Sequence, residues 1–499
     1  MRQNKPGFGI VALALGLCLA GCEVGPDYHS PAPPKVPLTA SPLPDATQTA
    51  GGIAQHFEVG ARIAGDWWDL YRSPQLSTLI QSALKNSPTL KAAQANLWQA
   101  EETMRAAQGA LLPTLSANAG IQRDQASTAG KAAFGGSGDG AAVPAYTMHS
   151  VSLSVSYTLD VFGGQRRQIE NIAARADYQR WQLEAAYLTL TANIVTAAVN
   201  QASLNAQIAA TRGLIADETQ LLGILQAQVN LGGVAPTQLL QQQAQLAQQE
   251  ATLPPLMAQL AASQNQLAAY AGQFPGDFSP RHFTLDDLSL PQTIPVSLPS
   301  ALVAQRPDIQ AAAAQLHEAT ANVGVATANL LPQISLSANI GHEALAVGDL
   351  FTPQSLLWSL VANATQPLFE GGTLVAQRKA ALYAMQAAAD QYQSTVISAF
   401  QNVADALSAL QYDAQTLAAA STATNAAAQS LAVTQAQYKL GAVPFASVLT
   451  AEITYQNALI IEVKAKAARL SDTAALYQSL GGGWWHRQDM AKQCCGVIP

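Results

Sequence analysis

The chain has 499 residues, of which 49% are hydrophobic and only 11% charged, well below the roughly one-quarter charge of an ordinary soluble domain. Its formal net charge of -7 excludes the basic groove that nucleic-acid binding requires. The aromatic fraction is 6%, and the abundance of Ala, Gln, Leu, Ser and Thr favours helices with small, polar, uncharged faces.

The chain opens on a targeting signal. Arg2 and Lys5 precede an apolar stretch, Phe8 to Ala20, too short to span a bilayer as a stable anchor. The stretch ends in Leu19-Ala20-Gly21-Cys22, which looks like a bacterial lipobox, in which the Cys22 thiol is acylated and residues 1–21 are removed. A non-lipidated signal that happens to hold a cysteine is the alternative. Cleavage would remove two positive charges and Cys18, leaving a net charge of -9. Residues 22–60, punctuated by Pro26, Pro31, Pro33, Pro34, Pro37, Pro42 and Pro44, read as an extended tether leading from a lipid anchor. Cys494 and Cys495 are too close together to brace a fold and form no metal motif.

From residue 61 the chain is written twice. Leu111-Leu112-Pro113 returns as Leu330-Leu331-Pro332, Phe162-Gly163-Gly164 as Phe369-Glu370-Gly371-Gly372, and Leu231-Gly232-Gly233-Val234 as Leu440-Gly441-Ala442-Val443, a period near 208 residues. The copies are expected at 61–273 and 307–483, joined by a Pro-rich linker at 274–306 and followed by a tail at 484–499. Each copy begins with a short helix, about 88–110 and 307–330. Strict alternation then predicts strand pairs at about 114–123 with 151–160, and 333–341 with 356–366. Val151, Leu153, Val155 and Tyr157 against Ser152, Ser154, Ser156 and Thr158 is the cleanest case. Strands of this length suit a membrane barrel or a soluble sandwich, and secretion with a lipobox favours the barrel. Four strands cannot close one, so a barrel would have to be shared between protomers.

Next comes a helical stretch without proline in each copy, about 162–231 and 371–440, near 105 Å at 1.5 Å per residue. A heptad stripe, Tyr187, Ile194, Gln201, Ile208, Ile215, Leu222 and Val229, is repeated 209 residues later as Val396, Val403, Leu410, Leu417, Thr424, Leu431 and Tyr438, which predicts supercoiled packing. Return helices are expected at 236–272 and 444–480, the first kinked or interrupted by Pro254 and Pro255. Enzyme signatures are absent: there is no nucleophile elbow or phosphate loop, and His342-Glu343 lacks a second histidine. Asp124, Lys131 and Asp139 read as part of a solvated loop between the first strand pair, and Trp67 and Trp68 as packing aromatics.

With Cys22-Glu23-Val24-Gly25-Pro26-Asp27-Tyr28, Asp66-Trp67-Trp68-Asp69-Leu70-Tyr71, Ser73-Pro74-Gln75-Leu76, Arg306-Pro307-Asp308-Ile309, Val323-Gly324-Val325-Ala326 and Leu480-Gly481-Gly482-Gly483-Trp484, the chain resembles the outer-membrane factors of bacterial efflux and secretion, the TolC-like and OprM-like channels with their NodT-type lipoprotein branch. The resemblance implies a mainly α fold with membrane β: long helices plus a β-hairpin, duplicated, trimerising into a 12-stranded outer-membrane barrel continued by a periplasmic helical barrel. It implies no catalytic residue, no cofactor beyond the lipid on Cys22, and a passive duct whose partners are itself as homotrimer, a periplasmic adaptor, an inner-membrane pump and outer-membrane lipid. The adaptor is expected at the corners Leu231, Gly232, Gly233, Val234, Leu440, Gly441, Ala442 and Val443. Related channels carry carboxylates just beyond these corners, where this chain has Gln238, Ser447 and Thr450. A gate here is therefore expected to rest on neutral hydrogen bonds and apolar contacts near Tyr438, with Lys439 and Glu452 as the nearby charges. Export of drugs or small toxic compounds is the first reading, a type I protein-secretion channel the second, and a non-conducting periplasmic coiled-coil scaffold the competitor of a different class. Glu23, next to the lipidated position, carries the further expectation of an effect on sorting between membranes.

Overall fold

A computed structural model of the chain describes residues 23–39, 42–125, 145–279 and 281–487. In chain order the elements are β1 (His56–Val59), α1 (Pro74–Asn86), α2 (Pro88–Gln108), β2 (Thr114–Asp124), β3 (Tyr146–Leu159), α3 (Gly164–Asn230), α4 (Pro236–Tyr270), β4 (Thr293–Val296), α5 (Pro299–Gln305), α6 (Pro307–Ala328), β5 (Gln333–Ala344), β6 (Leu356–Thr365), α7 (Thr373–Lys439) and α8 (Phe445–Ser479). The series α2-β2-β3-α3-α4 recurs as α6-β5-β6-α7-α8, with α3 and α7 of equal length, 67 residues, or about 100 Å. The chain divides into two compact units, one drawn from the described residues of 1–30, 98–177 and 313–390 and the other from those of 31–97, 178–312 and 391–499.

The first unit is built on a four-stranded antiparallel sheet of order β2-β3-β5-β6. Its register puts the alternating residues in rows. Leu115, Val155, Ala338 and Leu360 form one apolar row, and Ala117, Leu153, Ile340 and Trp358 form another. On the opposite face Ser116 pairs with Ser154, and Ser154 in turn with Asn339. Hydroxyls satisfy one another across this polar face, with Ser116 Oγ 2.7 Å from Ser154 Oγ and Thr114 Oγ1 2.7 Å from Ser156 Oγ. Two strand boundaries differ from the sequence reading. β3 begins at Tyr146, five residues before Val151, because the ladder continues as far as Asp124 opposite Tyr146 although alternation has faded there. β5 runs on to Ala344 for the same reason, opposite His149. Asp124 is thus the last residue of β2 rather than a loop residue, while Lys131 and Asp139 lie outside the described residues. Asp160 starts α3: its two carboxylate oxygens accept the backbone N–H groups of Gln165 and Arg166, each at 2.9 Å, supplying partners to orphan donors of the first turn.

In the second unit the heptad stripe is the packing surface. Ile194, Gln201, Ile208, Val403, Leu410, Leu417 and Thr424 are all buried. Trp67 and Trp68 are buried as well, with Trp67 stacked on Tyr477 at 5.4 Å, and Tyr71 Oη donates to the Leu470 carbonyl at 2.8 Å. Pro254 and Pro255 do not interrupt α4, which is continuous from Pro236 to Tyr270. Both prolines are exposed, as are Glu250 and Ala251, whose carbonyls lose their helical donors at a position open to solvent.

Several features escaped the sequence reading, helices α1 and α5 among them. β1 and β4 pair in parallel, His56 opposite Thr293 and Val59 opposite Val296, inside segments read as tether and linker. The second half of the expected tether is also bound along its length. Arg469, 1% exposed, donates to the carbonyls of Ala50 and Ile53, to Thr47 Oγ1 and to Gln55 Oε1, all at 3.0–3.1 Å. A buried guanidinium with its donors shared among four acceptors on one loop makes that loop part of the helical body.

Candidate functional site

Three places carry candidate function: the sheet, the α3–α4 and α7–α8 corners, and the N-terminal segment. On the sheet the apolar rows are exposed and nothing among the described residues covers them; Leu115, Ile121, Trp358 and Leu360 are each at least 70% exposed. Exposed apolar rows on a sheet backed by Ser, Thr and Asn have the two-faced character of a strand wall between lipid and water. β2 and β6 each have one unpaired edge, which the hydrocarbon region of a membrane does not tolerate.

The corners are built alike. α3 ends through Gly232 (φ 71°), with the Gly233 N–H bound to the Gln228 carbonyl at 2.8 Å. α7 ends through Gly441 (φ 75°), with the Ala442 N–H bound to the Gln437 carbonyl at 2.9 Å. Each is a left-handed helix stop that glycine adopts at little cost. Leu231 and Leu440 protrude, 86% and 85% exposed; Gly232, Gly233, Gly441 and Ala442 are exposed and Val234 and Val443 half-buried.

Behind the corners lies a small apolar cluster of Leu225 on α3 with Phe445 and Val448 on α8, packed by Leu221, Val234, Leu239, Tyr438 and Leu449. The Tyr438 ring sits 5.6 Å from that of Phe445, its hydroxyl donates to Gln228 Oε1 at 3.2 Å, and burial pushes its pKa up. The other expected gate residues are less engaged. Gln238 is half-buried in the first turn of α4, Lys439 is exposed, Ser447 is half-buried, and the Thr450 hydroxyl bonds its own helix at the Ala446 carbonyl, 2.9 Å away.

Glu452, expected with Lys439 as a charge near Tyr438, belongs to an acidic group. Leu225, Leu221 and Glu218 climb α3 as Phe445, Val448 and Glu452 climb antiparallel α8, so each acid lies beyond the same cluster. Glu218 is 0% and Glu452 3% exposed. Among the described residues neither oxygen of the Glu218 carboxyl has a close hydrogen-bond partner, the Gln245 amide being only a weak one, and nor does Oε2 of Glu452. Gln242 on α4 donates to the backbone carbonyl of Glu218 at 3.2 Å rather than to its carboxyl. Burial, then the charges of Glu218 and Asp217, push Glu452 up to about 7; burial and Glu250 raise Glu218 too, with Gln245 opposing. A second acid, Asp413 on α7, is pushed up to about 7 by burial and by Asp472 on α8, against the opposing charge of Arg469. Each acid occupies a seven-residue series of core positions, Leu204, Thr211, Glu218, Leu225 on α3 and Phe445, Glu452 on α8, and that placement was the sequence signal that went unused.

Among the described residues no group of three or more His, Cys, Asp or Glu is arranged to hold a metal ion. His342 instead places Nδ1 2.9 Å from Ser355 Oγ and its ring against Phe351. Cys22, Cys494 and Cys495 lie outside the described residues.

The model of the family described as outer membrane efflux protein matches residues 79–273 and 298–482, the two copies in turn. The chain belongs to this family. The pyoverdine export outer membrane protein OpmQ of Pseudomonas aeruginosa is 29% identical over 91% of this chain and 96% of its own. The cation efflux system protein CusC of Escherichia coli is 27% identical over 95% and 98%. Among solved structures the outer-membrane channel OprN superposes with a TM-score of 0.83 at 25% identity, over 93% of this chain and all of that one. The open MtrE channel of Neisseria gonorrhoeae gives 0.79 at 26%, over 93% and 99%. The fold is thus that of an outer-membrane efflux channel, with a membrane sheet and helices extending into the periplasm, in a family of channel formers rather than enzymes.

Proposed function

We propose that three copies of the chain close their sheets into one barrel of twelve strands, and that this trimer is the outer-membrane duct of a tripartite efflux pump. The observation that carries the reading is the open sheet: four antiparallel strands with an exposed apolar face and two unpaired edges, β2 and β6. Hydrocarbon admits only closed sheets, and about eight strands is the smallest barrel, so three copies of four satisfy both conditions. Cys22, acylated after loss of residues 1–21, anchors the chain in lipid. The corners around Leu231–Val234 and Leu440–Val443 meet a periplasmic adaptor that joins the duct to an inner-membrane pump. Tyr438, its partner Gln228 and the residues Gln238, Lys439, Ser447 and Thr450 border the periplasmic opening, with Glu218 and Glu452 behind them. The pump supplies the energy, and the duct passes drugs or other small toxic compounds without chemistry of its own. The names of relatives span pyoverdine, toluene and cation export, as befits a passive conduit serving different pumps.

The test is planar-bilayer conductance of the detergent-purified, lipidated protein, with its oligomer mass measured on the same sample. Trimers giving discrete conductance steps are expected. A water-soluble monomer without conductance would overturn the barrel.

A further inference from the structure

The acidic residue that follows the lipid-bearing cysteine has an unexpected partner. Arg167, in the first turn of α3, is 3% exposed, and four groups surround its guanidinium. Nη2 donates to Asp27 Oδ1 at 2.6 Å, Nη1 to Glu170 Oε2 at 2.7 Å and Nε to the Val24 carbonyl at 3.2 Å, while Glu23 Oε1 lies 3.9 Å from Nε. Three of these four belong to the six residues immediately after Cys22. Glu170 links the group onward, accepting or sharing a proton with His317 Nε2 at 2.8 Å, and the His317 ring stacks on Tyr28 at 4.3 Å and 15°. The segment is therefore gripped at both ends, by charge at Glu23–Asp27 and by an aromatic stack at Tyr28.

The backbone is shaped for the same contact. The Val24 N–H bonds to the Phe162 carbonyl at 3.2 Å, at the corner between β3 and α3. Gly163 there has φ 75°, and a Cβ on it would stand 3.0 Å from Glu23 Cα. Gly25 has φ 99°, and a Cβ on it would stand 2.5 Å from Gly324 Cα; one on Gly324 would lie 2.7–3.0 Å from the Arg167 side chain. Three glycines thus bring two backbones and a buried guanidinium together where a side chain would keep them apart.

We infer that Glu23–Tyr28 is the ligand of a built clasp centred on Arg167, which fastens the lipid-bearing end of the chain to the corner at Phe162–Gly163, and that Glu23 serves this clasp rather than sorting between membranes. The clasp places the residue next to Cys22 against Gly163, in the corner between β3 and α3, so an acyl chain on Cys22 enters lipid beside the sheet of its own protomer. Arg167 is a positioning residue: it acts by holding the anchor. The consequence depends on the lipidation of Cys22 proposed above; the clasp itself does not.

The experiment uses the full-length protein with Cys494 and Cys495 changed to Ser and a nitroxide on His29→Cys, His29 being exposed next to the clasp. Intact mass reports acylation of Cys22 separately, so failure of the lipid reading is visible independently of label mobility. The expected result is an immobilised nitroxide in the parent protein, lost in Arg167→Met and in Asp27→Asn. Asp27 is 76% exposed, so its variant folds even where loss of the buried arginine does not permit folding. Glu23→Gln is expected to loosen the label while the protein stays in the outer-membrane fraction. An equally immobilised label in Asp27→Asn and in any folded Arg167→Met protein would overturn the clasp, and movement of Glu23→Gln to the inner membrane would overturn the role given to Glu23.

Discussion

The acid pair behind the corners sets a pH dependence whose size follows from burial. Glu452 is 3% exposed, and its carboxyl is pushed from the ordinary 4.5 up to about 7 by burial, then by Glu218 and Asp217. A carboxyl whose folded pKa is raised favours folding while it is neutral. That contribution is whole below pH 4.5 and is lost as pH rises through about 7. At 1.36 kcal/mol per pKa unit the displacement is worth about 3 kcal/mol, of which about 2–3 kcal/mol is spent between pH 5 and pH 8.5. Glu452→Gln keeps the shape of the neutral carboxyl and never charges, so it should be close to neutral at pH 5 and stabilising by about 2–3 kcal/mol at pH 8.5. A domain of 150–250 residues gains about 2–4 °C per kcal/mol, and a chain twice as long about half of that, so the melting temperature should rise by about 2–6 °C at pH 8.5. The assay is thermal loss of helical circular dichroism in detergent across that pH range, with wild type and variant scanned at one rate. Asp413, raised to about 7 by burial and Asp472, titrates in the same window, so the variant removes part of the slope and Glu452→Gln with Asp413→Asn removes more. Equal pH slopes in wild type and Glu452→Gln would refute the reasoning, because they would show that the carboxyl is solvated in the folded protein.

Other outcomes follow from the same geometry. Gly441→Ala (φ 75°) meets only open space and should cost the left-handed penalty of about 1–2 kcal/mol; Gly272→Ala (φ 70°) also sets a Cβ 2.8 Å from the Asn86 carbonyl oxygen and should cost about 1–3 kcal/mol more, as paired thermal melts would show. Tyr438→Phe deletes the bond to Gln228 and should loosen the corner by about 1 kcal/mol, read as more frequent single-channel openings with unchanged trimer mass. Trp358→Arg puts a charge on the exposed apolar row near one end of β6 and should cost about 1–3 kcal/mol, read as loss of heat-resistant trimer from the outer-membrane fraction. Arg469→Met removes the donor shared by Gln55, Thr47 and the Ala50 and Ile53 carbonyls, the last three of which keep another, and should expose residues 45–60 to limited proteolysis while α8 stays folded.

What the sequence made legible is what repeats at short range. Alternation over ten residues names a strand, and a seven-residue stripe carried through 67 residues names a packed long helix, because each pattern is written by neighbours that share one face. The stripe was right even at Gln201 and Thr424, polar positions that the packing buries with the rest. Contacts between distant parts leave no such trace. Arg469 meets Gln55 across a separation of 414 residues and Arg167 meets Asp27 across 140, so residues 23–60 looked like free tether although two guanidinium groups hold them. The same limit hid the acid pair. Glu218 and Glu452 each look like a surface charge on a polar helix until α3 and α8 are laid antiparallel, when each takes a buried position seven residues from Leu225 or Phe445, outside the stripe read from the sequence. A charged residue at a core heptad position is a conflict between local pattern and burial, and such conflicts gather where a structure must change state. Here the conflict lies just behind the α3–α4 and α7–α8 corners, so the cost of charging Glu452 falls on the contact between α3 and α8 rather than on the membrane sheet.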